Sequence, residues 1–272
     1  MATFTKLYLT TKTAGYSPAT LRGEWNQTTA VVTKMLDSGK QSDDAIVVVL
    51  SAETNVSDTF DVLLYRGVSG PLAAQTIACN IDVMLGVYES NAAANFNWHI
   101  HIFVTEGDSD TVRATLVDNY VEAAGTNEWG DTVTTSGKAL NAVQAVDVGI
   151  SAGDRLVVEI GYIARNTSAT SYTGRLYYGT TVGGIQVADL TASADGRSLA
   201  GYISFSNAVT EVAPTARLTQ APLRVLRDAD TAVRTARLTQ ASLRVLYKSP
   251  PVIAWATENI QPYREKVIPT PY

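Results

Sequence analysis

Glycine and proline are sorted along this chain. All 19 glycines lie at or before Gly201, and seven of the nine prolines lie at or after Pro214. Glycine serves tight turns and close backbone approach, whereas closely spaced proline favours an extended backbone. A single architecture therefore does not run through both parts. Charge breaks at the same place. Residues 1–212 hold 12 Lys and Arg against 22 Asp and Glu, a net −10. Residues 213–272 hold 9 against 4, a net +5, and the two sum to the −5 of the whole 272-residue chain. The boundary falls at Val212-Ala213-Pro214, which separates a domain, 1–212, from an arm, 213–272.

The first segment reads as all-β. Short runs rich in Val, Ile, Thr, Tyr and Phe recur between turn residues. They are Ala45–Leu50, Thr59–Tyr65 (closed by Arg66-Gly67), Ile77–Tyr88, Asn97–Thr105, Thr111–Val121, Asp154–Ile163, Leu176–Tyr178 and Ala200–Phe205. The turn Ser151-Ala152-Gly153 leads into the clearest of them. Thr28–Leu36 has helical spacing, with Ala30 over Lys34 and Val31 over Met35, but its Val31-Val32-Thr33 serves a strand equally well. About eight to ten strands with little helix give a jelly-roll-like β-sandwich of roughly 200 residues.

The second segment carries an internal repeat. Thr215–Leu226 returns as Thr235–Leu246, and only Pro222 against Ser242 differs among the twelve positions. Two copies are too few for a solenoid, so the repeat reads as a pair of equivalent docking segments. Leu223 and Val225 alternate with Arg224, as Leu243 and Val245 do with Arg244, which is the pattern of an extended strand. A helical register is the alternative, and Pro222 weakens it in the first copy. Proline, tyrosine, tryptophan and arginine continue to the end of the sequence, types enriched at binding hot spots. The partner-binding candidates are therefore Arg217, Leu218, Leu223, Arg224, Val225, Arg237, Leu238, Leu243, Arg244, Val245, Trp255 and Tyr263. A flexible tail is the plainer alternative.

Composition narrows function without naming a chemistry. The chain is 46% hydrophobic and 17% charged, with ample material for a core. Its acidic balance argues against nucleic acid as a partner, and no apolar run approaches the roughly 18 residues of a membrane span. Met1–Lys6 shows no secretory signal, and the single Cys79 leaves no internal disulfide. Without a leader, the glycosylation-type triplets at Asn26, Asn55 and Asn166 carry little weight.

Four local patterns deserve weighing. His99 and His101 alternate in a strand-like run and share one face about 7 Å apart. With a third ligand such as Glu106 they could chelate zinc, but a polar strand face, with Trp98, Ile100 and Ile102 turned to the core, is the stronger reading. Glu106–Asp110 is an acidic loop with calcium-type alternation that lacks the rest of an EF-hand, so a solvated hairpin is favoured. Asp131–Lys138 fails as a phosphate loop: Gly130 and Gly137 are too far apart, and no Ser or Thr follows Lys138. No nucleophile elbow occurs, and Cys79 has no histidine close in sequence. The expectation is no catalytic residue, no metal and no cofactor.

The repeated Ala-Arg-Leu-Thr-Gln…Leu-Arg-Val-Leu at 216–226 and 236–246 resembles short segments near the ends of tailed-bacteriophage virion proteins. The run Ala152–Tyr162, followed by a strand into Ser204-Phe205-Ser206, is similar to phage β-sandwich proteins. The resemblance implies a virion structural protein without catalytic residues, made in the host cytoplasm and assembled with other virion proteins and with copies of itself. It leaves open tail, neck or capsid surface. Two other functions remain in view. A carbohydrate-binding adhesin would engage a host-surface glycan through Trp25, Trp129, Tyr172, Tyr177 and Tyr178, although such rings are often core. A polysaccharide hydrolase would need two acids to meet in the fold.

Overall fold

A computed structural model describes residues 2–28, 32–53, 60–77, 80–144, 146–166 and 170–212. The whole arm, with its repeat and all twelve of its candidate binding residues, lies outside the described residues, as does Cys79.

The described chain is all-β, as expected. Its strands are β1 (Ala2–Thr13), β2 (Gln27–Thr28), β3 (Lys34–Asp37), β4 (Val47–Glu53), β5 (Phe60–Val68), β6 (Gln75–Ile77), β7 (Asn80–Glu89) and β8 (Phe96–Thr105). There follow β9 (Val112–Val121), β10 (Gly137–Gln144), β11 (Val148–Ile150), β12 (Arg155–Ala164), β13 (Tyr172–Tyr178), β14 (Thr181–Val182), β15 (Ile185–Gln186) and β16 (Tyr202–Glu211). Ten of these reach seven residues or more. Among the described residues the helical elements are two single 3₁₀ turns, and no helix is long and apolar enough to cross a membrane.

One path of pairings runs β4-β13-β7-β16-β1-β3-β5-β12-β8-β9, with β10 added on β7 and β2 on β5. It folds into a sandwich because β1 serves both halves. Its residues 2–8 pair with β16 and residues 8–13 with β3, and a bulge between Phe4 and Lys6 interrupts the first ladder. Most pairs are antiparallel, as in a jelly roll. The exceptions are β2 and β3, which run parallel to β5. The two halves share one core. The rings of Tyr65 on β5 and Tyr178 on β13 lie 5.0 Å apart, and Phe4 on β1 meets Phe205 on β16 at 6.0 Å. Gly174 on β13 leaves room for the Tyr162 ring of β12, where a Cβ would fall 2.3 Å from it.

Three expectations need correcting. Lys34–Asp37 is a strand, so the helical reading of Thr28–Leu36 fails over its described end, because Leu36 is drawn into the core and pairs with Leu9. Arg66-Gly67 does not close β5: both residues stay in the ladder, opposite Glu159 and Val158. The run Ile77–Tyr88 is shared by two strands, β6 and β7, in different sheets. The turn before β12 forms as expected, with Gly153 at φ +95° and the Ser151 N–H donating to Asp154 Oδ2 at 2.7 Å.

Candidate functional site

Strands β5, β12 and β8 lie side by side, and alternation divides their side chains between two faces. On β8, Trp98, Ile100 and Ile102 enter the core and His99 and His101 take the other side, as the sequence pattern predicted. Ladder partners bring Glu159 beside both Arg66 and His101, and place Asp61 on the same outer face. This face is buried too. Glu159 is 0% exposed, His99 1%, and Arg66 and His101 4% each.

Residues 14–26, between β1 and β2, are the cover. Their Gly, Ser, Pro, Thr and Asn turn the chain so that backbone groups face the sheet, while Ala14 and Tyr16 pack on the Val68, Phe103 and Val157 cluster. Glu159 accepts hydrogen bonds from Gly23 N–H at 2.8 Å, Arg22 N–H at 3.1 Å and Trp25 Nε1–H at 2.9 Å. Arg66 Nε lies 3.3 Å from the same carboxylate, and its guanidinium donates to the carbonyls of Pro18 (2.5 Å) and Thr20. A buried carboxylate that collects this many donors satisfies the demand burial makes on it. Burial pulls the Arg66 pKa below its ordinary value, and the Glu159 charge opposes that pull.

The histidines complete the layer. His99 Nδ1 lies 2.7 Å from Asp61 Oδ1, its Nε2 faces Asn119 Oδ1 at 3.4 Å, and the Trp25 ring covers it at 4.1 Å. His101 Nδ1 accepts the Asn119 N–H at 3.1 Å, so this nitrogen carries no proton. Burial holds the His101 pKa below the ordinary histidine value, against the opposing charges of Glu159 and Asp118. Asp61–His99 has the carboxylate–imidazole geometry of a catalytic pair. The place of a nucleophile, however, is taken by an amide oxygen. Among the described residues no group of three His, Cys, Asp or Glu is placed to hold a metal ion. The suggested third ligand, Glu106, instead pairs with Arg113 at 3.5 Å.

The acidic loop is an exposed hairpin between β8 and β9, as expected, and it also makes contacts that the sequence did not announce. Asp108 pairs with Arg155, Asp110 accepts the Ala19 N–H at 2.5 Å, and the Ser109 carbonyl accepts Tyr16 O–H. It anchors the 14–26 cover. Beside that cover lies an open cavity of about 290 Å³, lined in part by Ser17, Leu21, Leu63 and Arg66. The aromatic residues offered for sugar stacking are largely core: Trp129 is 1% exposed, Tyr177 2% and Tyr178 6%, and Tyr172 packs against the core as well. Trp25 is half-buried over His99.

Together these features define an all-β sandwich whose second, polar face is sealed by its own loop. No protein-family model matches the chain, and no curated protein matches it. Among solved structures it is similar to an α-amino acid ester hydrolase labelled with selenomethionine, at 13% identity and a TM-score of 0.34, over 74% of this chain and 36% of that one. It is also similar to the structure of infectious bursal disease virus Gx strain, at 12% identity and a TM-score of 0.22, over 66% of this chain and 40% of that one. The chain thus spans well under two thirds of either, and at these values neither likeness bears on its function.

Proposed function

We propose that this chain is a non-enzymatic structural protein of a tailed-bacteriophage virion, an accessory component of tail, neck or capsid surface. The arm at 213–272 holds it in the particle, and it assembles as a homo-oligomer. One observation carries this reading: a net −10 sandwich is followed by a net +5 arm that presents the same twelve-residue segment twice. A duplicated, cationic, strand-like segment suits repeated docking on acidic neighbours by edge addition. The internal use of buried charge supports it. Glu159, Arg66, His99 and His101 are occupied in closing the sandwich. Such a block is stiff and offers its outer surface to assembly.

Deletion of residues 213–272 tests the proposal. Particles assembled with the shortened chain should lack it, while the intact chain is found in the particle by mass spectrometry, where copies in multiples of 3, 6 or 12 would separate tail and neck from an icosahedral shell. Incorporation of the shortened chain at the normal level would refute the role given to the arm.

A further inference from the structure

Five of the eight exposed large hydrophobic side chains among the described residues gather at one place. Val47, Val48 and Leu50 lie on β4 at 38%, 44% and 55% exposure, and Val182 and Ile185 on the β14–β15 hairpin at 45% and 73%. The hairpin adjoins the strand, since Ile46 N–H donates to the Thr181 carbonyl at 2.9 Å and Ala45 bridges Thr181. β4 also ends the sheet. Among the described residues it pairs with β13 alone. At the opposite end, β9 carries the exposed Arg113 and Asp118, and its Leu116 carbonyl takes the Val146 N–H at 3.0 Å. Charge and a covering segment are the usual protections of a sheet edge. β4, reading Val-Val-Val-Leu-Ser-Ala-Glu, has no proline or lysine and one charge at its last position.

Such an edge fits an added strand, and the chain contains two that suit it. A seven-residue strand is about 23 Å long at roughly 3.3 Å per residue. That matches Gln220–Leu226 and Gln240–Leu246, each with Leu and Val alternating about an arginine. The second copy has Ser242 where the first has Pro222, so it alone keeps every backbone donor for a ladder. Neither twelve-residue copy holds an acid, and the sandwich they would join is net −10. Each chain has two segments and, among its described residues, one bare edge of this kind. One chain's own edge cannot hold both segments, which leaves a segment available to the edge of another copy.

Resting on the reading of 213–272 as a docking arm, we propose that the β4 edge of one copy receives the 240–246 segment of a second copy as an added strand, linking copies in series. Photo-crosslinking of the full-length chain tests this. Benzoylphenylalanine replaces the exposed Leu50, and isotopically light and heavy chains are mixed. Crosslinks should join a β4 peptide of one isotope to a repeat peptide of the other. Leu243→Asp with Val245→Asp should lower their yield about tenfold, as expected for loss of anchor side chains. Crosslinks confined to one isotope, crosslinks from β4 to β4, or none at all would overturn the proposal. Particle incorporation keeps the two readings apart. Dependence on 213–272 without the β4 crosslink rejects this docking site alone. The crosslink without that dependence rejects the anchoring role and leaves the docking site standing.

Discussion

Glu159 and Glu89 are buried alike, at 0% and 1% exposure, in two regions that treat a carboxylate in opposite ways. Under the 14–26 cover, Glu159 meets three N–H donors and a guanidinium. At the end of β7, Glu89 accepts one N–H, from Phe96 at 2.9 Å, and has Glu128 and Asp131 as neighbours. Burial, reinforced by Glu128, pushes its pKa up to about 8 despite the Phe96 hydrogen bond. Burial therefore does not decide what a buried acid contributes; the donors that reach it do. The first region uses a carboxylate to fasten a loop across the sheet, and the second tolerates one best when it is protonated.

The contrast is broken most forcefully at Glu159. Glu159→Ala leaves Arg66 buried without its counter-charge and frees three donors, so unfolding in urea should show a loss of about 3–5 kcal/mol. Limited proteolysis should then cut within 14–26. A loss below about 1 kcal/mol, in the range of a surface pair, would mean that the layer does not hold the cover. Trp25→Phe is the gentler probe. It keeps a ring over His99 and removes one N–H donor to a carboxylate, a loss of about 1.5–3 kcal/mol. The double variant should lose less than the sum of the two, because both act on the same carboxylate. Strict additivity would separate Trp25 from the fastening of the loop.

Sequence made some of this legible and hid the rest for physical reasons. β12 could be read because Leu-Val-Val-Glu-Ile-Gly-Tyr-Ile is β-branched and apolar nearly throughout, the mark of a strand covered on both sides. The parity of β8 could be read because alternation is a local property: Trp98, Ile100 and Ile102 fix where His99 and His101 point. β1 is harder to read, since Lys6 and Lys12 interrupt its apolar positions and its burial depends on distant partners at 202–211. The fate of Glu159 was also out of reach. Its donors at Gly23 and Trp25 lie 136 and 134 positions away, in a stretch whose composition says only that it turns. The anchoring contacts of the acidic loop were hidden in the same way, because nothing near Asp108 and Asp110 indicates that Arg155 and Ala19 will meet them. The repeat, by contrast, is legible only in sequence.

A pH-dependent effect tests the second carboxylate. Folded Glu89 titrates near 8, while an unfolded glutamate titrates near about 4.3. Between these values the folded chain holds a proton that the unfolded chain has released. The stability that Glu89 contributes is therefore complete below about pH 4.3, falls as pH rises, and levels off above 8, with a slope of at most about 1.4 kcal/mol per pH unit. Glu89→Gln keeps an oxygen for the Phe96 N–H and cannot ionise. The variant should match the parent in acid and exceed it progressively up to pH 8 in urea unfolding. His101, whose pKa burial lowers, acts in the opposite sense: its contribution is lost as pH falls through the ordinary histidine range. Both chains retain His101, so the difference between them cancels it and isolates Glu89. A difference that stays flat from pH 5 to 8 would mean that burial does not hold a proton on Glu89 and would remove the contrast between the regions.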